Sequence, residues 1–115
     1  MDIGNNFNSP VFTSRFMSSK ATIEVNKFAQ EQGISNFIEG INASLKNAGN
    51  YKFNLKHLYS KALGVVKTEI RFEKDGNKYL ISETSSKTKN PAEFTMQLLK
   101  SLQDKTSAFY KKLFC

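Results

Sequence analysis

The chain has a single cysteine, Cys115, and a single histidine, His57, among its 115 residues. No intrachain disulfide can form, and this cysteine usage is typical of a reducing compartment, so the sequence predicts a cytoplasmic protein. One histidine and one cysteine are too few for a zinc site, and no run of spaced carboxylates is typical of a calcium loop. The six glycines are scattered, whereas nucleotide-binding loops need them clustered. We therefore expect no cofactor and no bound metal.

Long apolar runs are also absent. No stretch approaches the roughly 18 apolar residues of a membrane span, so no transmembrane segment is expected. Residues 1–20 lack the continuous apolar core of a secretory signal. Their polar, Phe-containing composition leaves open whether they are a targeting or export signal or an ordinary extension. We predict a flexible N-terminal arm over residues 1–18 and a single domain over residues 19–115, because a chain of this length forms one domain.

Positive charge is in excess, and all of the excess lies in the second half of the chain. The 17 Lys and Arg residues and 10 Asp and Glu residues give a net charge of +7. Residues 1–50 are neutral overall, so the whole +7 belongs to residues 51–115. Charge concentrated on part of a small domain predicts an anionic partner, such as nucleic acid, lipid headgroups or an acidic protein.

The periodicity of the apolar residues predicts helices at both ends of the chain. Apolar residues recur every three to four positions over residues 18–32, and Gly33 is a natural stop for that helix. Ser35 is placed to cap a second helix. Near the C-terminus, Asn90 and Pro91 have the order of an N-cap and a first helical position. An apolar stripe then continues to the chain end and predicts one long helix.

Between these helices the pattern changes to a period of two, which is typical of half-buried strands. Alternation covers residues 51–59, Val65–Lys74 and residues 77–83. Asp75-Gly76 between the last two is a strong hairpin signal. The sequence therefore predicts an α+β fold with two N-terminal helices, a three-stranded antiparallel sheet and a long C-terminal helix packed on one sheet face. The other face is left free for a ligand or for a second copy in a homodimer.

Six basic residues of the strands and the following loop are the candidate binding site. Side chains two or four positions apart project from the same face of a strand. The loop lysines precede a helix N-terminus, where free backbone N–H groups and the helix dipole also favour an anion. The candidate nucleic-acid-binding residues are Lys52, Lys56, Lys67, Arg71, Lys87 and Lys89. Four aromatic residues of the strands, if exposed, would stack on bases: Tyr51, Phe53, Tyr59 and Tyr79.

His57 has two interpretations. It alternates with Phe53, Leu55 and Tyr59, so it shares their side of the first long strand, where a partly buried histidine with a hydrogen-bond partner is the expected outcome. The alternative is a general acid or base on the sheet surface, as a small basic ribonuclease would need. With no nucleophile motif around any serine, we expect a protein that is not an enzyme.

The end of the chain carries a resemblance in topology. Three antiparallel strands between helices, with a Ser85-Ser86-Lys87 loop opening the last helix, resemble the double-stranded-RNA-binding domain. The glycine that this family has before the loop is missing, and Phe94 and Thr95 replace its small alanines. This resemblance implies a fold and does not by itself assign a function.

Two functions are consistent with these features. The first is a small basic protein that contacts RNA or DNA phosphates through the lysine-rich surface. The alternative is a protein-interaction module, an adaptor, secretion-related factor or inhibitor of bacterial or phage origin. Such a module would use the free sheet face and the Phe-rich N-terminal arm against an acidic protein.

Overall fold

The computed structural model describes residues 14–85 and 90–114. In these residues the protein has an α+β fold, with four α-helices, one short 3-10 helix and a mixed four-stranded sheet. The elements in chain order are β1 (Arg15–Phe16), α1 (Lys20–Glu31), α2 (Phe37–Ser44), β2 (Lys52–Ser60), β3 (Val65–Lys74), β4 (Asn77–Ser85), α3 (Pro91–Lys100), the 3-10 helix (Ser101–Gln103) and α4 (Ala108–Phe114).

The sheet has the spatial order β1-β2-β3-β4. The long strands pair antiparallel, and β1 runs parallel to β2. Asp75 and Gly76 have φ values of 54° and 79°, which is the pair of positive angles that a two-residue hairpin turn requires. The predicted hairpin is therefore confirmed, and the register between β3 and β4 continues without interruption from Lys74 and Asn77 to Val66 and Ser85.

The core lies on one face of this sheet, under the helices. Side chains that alternate along β2 and β3 are buried, including Phe53, Leu55, Val66, Ile70 and Phe72. The helices close the core with a second set of apolar side chains: Val25, Ala29, Ile38, Ile41, Met96, Leu99, Phe109 and Leu113. The opposite face of the sheet, which we call the open face, has mostly exposed side chains.

The prediction of a three-stranded, wholly antiparallel sheet is wrong because β1 adds a parallel strand. The Arg15 N–H donates to the Tyr51 carbonyl at 2.9 Å, and the Met17 N–H donates to the Phe53 carbonyl at 2.8 Å. Phe16 is buried and its ring stacks on Phe53 with a centroid separation of 5.0 Å. A strand of two residues is too short to show a period of two, so the sequence pattern contains no signal for it.

The prediction of a single long C-terminal helix is also wrong, since α3 and α4 are separate. The break follows from local polar side chains. Asp104 accepts hydrogen bonds from the backbone N–H and the hydroxyl of Thr106, which lower the pKa of its carboxyl. Ser107 then caps α4, with its hydroxyl accepting from the Tyr110 N–H at 3.1 Å. Such side-chain bonds compete with helix continuation, although the apolar stripe runs on into α4.

Cap residues set the boundaries of the other helices. Ser19 caps α1 and Asn90 caps α3, where its side-chain oxygen accepts from the Ala92 and Glu93 N–H groups. The prediction that Ser35 caps α2 is wrong. The N-cap is Asn36, in a left-handed conformation with φ of 55° and without a side-chain cap bond.

Candidate functional site

The open face brings together four of the six basic residues that the sequence singled out. Lys52 and Lys56 project from β2, and Lys67 and Arg71 project from the neighbouring β3. The register places Asn54 opposite Arg71, Lys56 opposite Glu69 and Leu58 opposite Lys67. The four cations therefore alternate between the two central strands along the open face. Lys87 and Lys89, the other two predicted residues, lie outside the described residues.

Two further cations on the open face were missed by the sequence analysis. Arg15 pairs with Lys52 across β1 and β2, and Lys78 pairs with Glu73 across the hairpin. Both side chains are exposed. The alternation over residues 77–83 together with the Asp75-Gly76 turn would have placed Lys78 on this face. Arg15 had no such signal, because β1 is not recognisable in the sequence.

Glu69 is a carboxylate in the middle of these cations and is only 8 % exposed. Its two oxygens lie 3.5 Å from the Lys67 Nζ and 3.7 Å from the Arg71 Nη2. Lys56 is its neighbour across the strands. Glu69 thus offsets part of the positive charge. Glu73 is the other carboxylate among the described open-face residues, so six cations stand against two anions there.

The surface around Arg71 is shallow and open. A depression of about 520 Å³ is lined by residues of all three long strands, including Lys52, Arg71 and Lys78. A second depression of about 570 Å³ lies at the edge of β2, where Lys20 of α1 joins Lys56 and Arg71. These broad basic depressions are suited to an extended anion and do not enclose a small molecule.

The aromatic residues proposed for base stacking lie on the other side of the sheet. Phe53 is fully buried, and Tyr51 is half-buried and packs edge-on against Phe53 and Phe72. Tyr79 stacks on Phe72 with a centroid separation of 5.3 Å, and Tyr59 is exposed near the end of β2. Among the described residues of the open face there is no aromatic ring. Base stacking on the basic surface is therefore not available from these four residues.

His57 lies on the covered face of β2 and has a partner for each ring nitrogen. Its Nδ1 is 3.1 Å from the Glu24 carboxylate, and its Nε2 is 2.7 Å from the Thr95 hydroxyl. Thr95 is in turn 2.7 Å from the Thr68 hydroxyl. Because a carboxylate only accepts, Nδ1–H donates to Glu24, Thr95 donates to Nε2, and Thr68 donates to Thr95.

This arrangement has the order of a catalytic triad, and Glu24 and His57 line the second depression, but the Thr95 hydroxyl is not accessible. Thr95 is fully buried, and the His57 side chain is 6 % exposed. Burial lowers the pKa of His57 below its ordinary value, and the neighbouring Glu24 carboxylate only partly opposes this. The chain from Glu24 to Thr68 ties α1, β2, α3 and β3 together. Its chemistry is that of a satisfied buried polar network, since the hydroxyl has no space for a substrate.

Two other classes of site are absent from the part of the chain that the structure describes. No group of three or more acidic, histidine or cysteine side chains that could hold a metal ion occurs there. No helix in residues 14–85 and 90–114 combines the length and apolar character needed to cross a membrane.

Comparisons with protein-family models, with curated proteins and with solved structures give no significant match to this chain.

Proposed function

We propose that this protein binds nucleic acid through the open face, by contacts to the phosphate backbone. The observation that supports this proposal is the cluster of six cations, Arg15, Lys52, Lys56, Lys67, Arg71 and Lys78, on one sheet surface. Such a surface binds polyanions with little sequence preference and strong dependence on salt, since each phosphate contact releases condensed counterions. The protein acts as a binder and carries out no chemistry on its ligand.

The composition of the open face favours a duplex over a single strand. Proteins that bind single strands gain about 1–3 kcal/mol for each base stacked on an aromatic side chain. Besides Glu69 and Glu73, the described open-face residues offer lysine, arginine, short polar side chains and a few apolar ones for contact, and no ring. A duplex presents its phosphates outward and keeps its bases stacked on one another, so it needs no aromatic platform.

The alternative partner, an acidic protein, is less well supported. A protein interface usually has an apolar centre. Leu58 and Leu80, the exposed leucines of the open face, lie opposite Lys67 and Arg71 respectively and do not adjoin each other in the register. The Phe-rich arm that this alternative uses lies largely outside the described residues, and its Phe16 is buried in the core.

Fluorescence anisotropy with labelled duplex and single-stranded DNA and RNA at several salt concentrations tests the proposal. We expect dissociation constants in or below about the micromolar range at low salt, tighter for duplexes, with log K falling linearly with log salt. A triple Lys52→Gln, Lys56→Gln, Arg71→Gln variant should flatten that slope by about 0.9 for each phosphate that the protein no longer neutralises. The matched control neutralises three exposed lysines of the helices and the turn before α4: Lys27, Lys100 and Lys105.

A second variant should change affinity in the opposite direction. Glu69→Gln removes the carboxylate that neutralises Lys67 and Arg71. We expect it to tighten duplex binding about fivefold at low salt, because a charge interaction at 4 Å in water is worth about 1 kcal/mol. A gain in affinity cannot come from unfolding. If the control triple weakened binding as much as the open-face triple, or if polyglutamate competed as well as a duplex, the proposal would be wrong.

A further inference from the structure

The strand β4 forms one edge of the sheet in the described part of the chain, and its protection as an edge is limited to two charged residues, Lys78 and Glu83. Its nine residues contain no proline, and its pairing with β3 runs without a bulge. Natural edge strands are usually shortened, bulged, covered, interrupted by proline or rich in charged side chains, since a long regular edge pairs with other chains. Tyr79 is 44 % exposed and Leu80 is 52 % exposed, on opposite faces of this strand.

The backbone of β4 has an identifiable set of outward-facing groups. The Tyr51 and Phe53 carbonyls accept hydrogen bonds from β1. The backbone N–H and C=O groups of odd-numbered β2 residues therefore point away from β3. Following the register across β3 puts the N–H and C=O groups of odd-numbered β4 residues toward β3. The corresponding groups of Lys78, Leu80, Ser82 and Thr84 point away from the sheet, and all four side chains are exposed.

We propose that two copies of this chain associate through antiparallel pairing of their β4 strands, with Ile81 opposite Ile81 at the two-fold axis. This register pairs all nine residues of the strand, whereas centring the pair on Leu80 or Tyr79 leaves residues unpaired. Lys78 then faces Thr84 of the second copy, and Leu80 faces Ser82, through the outward backbone groups. These pairs make about eight backbone hydrogen bonds across the axis.

The side chains of β4 are compatible with pairing to themselves in this register. Its two charged residues are Lys78 and Glu83, of opposite sign and on opposite faces. Tyr79 of one copy faces Glu83 of the other, and Glu83 forms an ion pair with Lys112 of α4 in its own chain. Among the β4 side chains no like charges are opposed, and Ile81 meets Ile81 on the covered face. Like charges directly opposite each other would destabilise the pair. This self-complementarity, together with the free backbone groups, identifies a second copy as the partner.

Pairing of edge strands about an axis perpendicular to the sheet keeps equivalent faces on the same side. The dimer therefore has one continuous eight-stranded sheet, in which the two open faces are adjacent. The dimer itself does not rest on the proposed function, because it depends only on β4, and its test uses no nucleic acid.

Site-specific crosslinking measures the register directly. In a Cys115→Ser background, three single variants place cysteine along β4: Tyr79→Cys, Leu80→Cys and Ile81→Cys. In the proposed register, Ile81 is a non-hydrogen-bonded pair with Cα atoms about 4.5 Å apart, within the range that a disulfide spans. We expect Ile81→Cys alone to form a covalent dimer rapidly under mild oxidation. Preferential crosslinking through position 79 or 80 would overturn the register.

Sedimentation of the unmodified protein tests the association itself. We expect a concentration-dependent species of twice the 13.0 kDa mass of one chain. Ser82→Pro removes an outward N–H without touching the pairing to β3 and should give a folded monomer, as checked by circular dichroism. Ser82→Ala keeps the N–H and should remain dimeric. A wild-type protein that stays monomeric at high concentration, or a Ser82→Pro variant that is folded and still dimeric, would contradict the proposal.

Discussion

Glu69 shows how a single residue shapes the open face. A carboxylate that is 8 % exposed is costly to bury unless cations and hydrogen bonds compensate it. Lys67 and Arg71, two positions away on either side, provide the cations, with Lys56 across the strand pair. Glu69 therefore limits the net charge of the surface and also constrains two of its cations. For this reason Glu69→Gln distinguishes an effect of charge on affinity from an effect of unfolding better than the removal of any single lysine, because it should raise the affinity and unfolding cannot.

At the same scale, His57 gives the protein a pH-dependent stability. Burial lowers its pKa in the folded state, so the unfolded chain binds a proton more readily. The stabilisation is complete above the ordinary pKa of about 6.5 and is lost as the pH falls below it toward the folded value. Protonation would also prevent Nε2 from accepting the Thr95 hydroxyl. The charged groups around His57 are Glu24, its partner, and Lys20, Lys56 and Arg71, which line the same depression.

Urea unfolding between pH 8 and pH 5.5 measures this effect while carboxylates remain ionised. We expect the free energy of unfolding of the wild type to fall over this range, and that of His57→Gln to change much less. Since His57 is the only histidine, its imidazole signals in nuclear magnetic resonance spectra are unambiguous and report its folded pKa. A folded pKa above 6.5, or stability that rises on acidification, would contradict the assignment.

At the scale of elements, the break between α3 and α4 decides how the C-terminus packs. Ser107 caps α4, and its hydroxyl also donates to the Ser101 carbonyl at 2.7 Å. Beyond this junction α4 places Phe109 and Leu113 in the core. A helix continued straight from α3 would carry the same apolar stripe in a different direction.

We expect Ser107→Ala to lower the free energy of unfolding by about 1 kcal/mol, as the loss of an N-cap usually does. Ser35→Ala is the matched control, because Ser35 is exposed and makes no cap bond to α2. Chemical denaturation of both variants gives the comparison. Equal losses of stability, or a greater loss for Ser35→Ala, would show that Ser107 does not stabilise the protein as the N-cap of α4.

The elements also show what the sequence could and could not predict. The hairpin at Asp75-Gly76, the long strands and the start of α3 at Asn90 depend on local signals, and all of them were predictable. The strand β1 depends on contacts with Tyr51 and Phe53 far along the chain, so its two residues have no local pattern. Arg15 was missed with it. Alternation placed Lys52 with Lys56 and Lys67 with Arg71 within each strand, but only the register showed that both pairs share one face, with Glu69 among them.

At the scale of the whole molecule, charge and apolar packing are divided between the two faces of one sheet. The helices cover one face, and the open face holds the basic residues. Strands lie about 4.8 Å apart, so one copy presents a surface roughly 19 Å wide and a dimer one roughly twice that width. A duplex whose axis runs across the strands has one base pair per about 3.4 Å of this width. The dimer therefore spans about 11 base pairs and a monomer about half as many.

The combination of both proposals therefore predicts a dependence of affinity on duplex length. We compare hairpin-capped stems of about 6 and about 14 base pairs, which are shorter and longer than the span of the dimer. The wild type should bind the longer stem at least about tenfold more tightly, because the second open face then binds intramolecularly. The monomeric Ser82→Pro variant should bind the short stem with the same affinity as the wild type. Its affinity for the long stem should rise only because that stem offers more equivalent binding positions. If both proteins gained equally with length, the two open faces would not act together on one duplex, even where binding and dimerisation each hold alone.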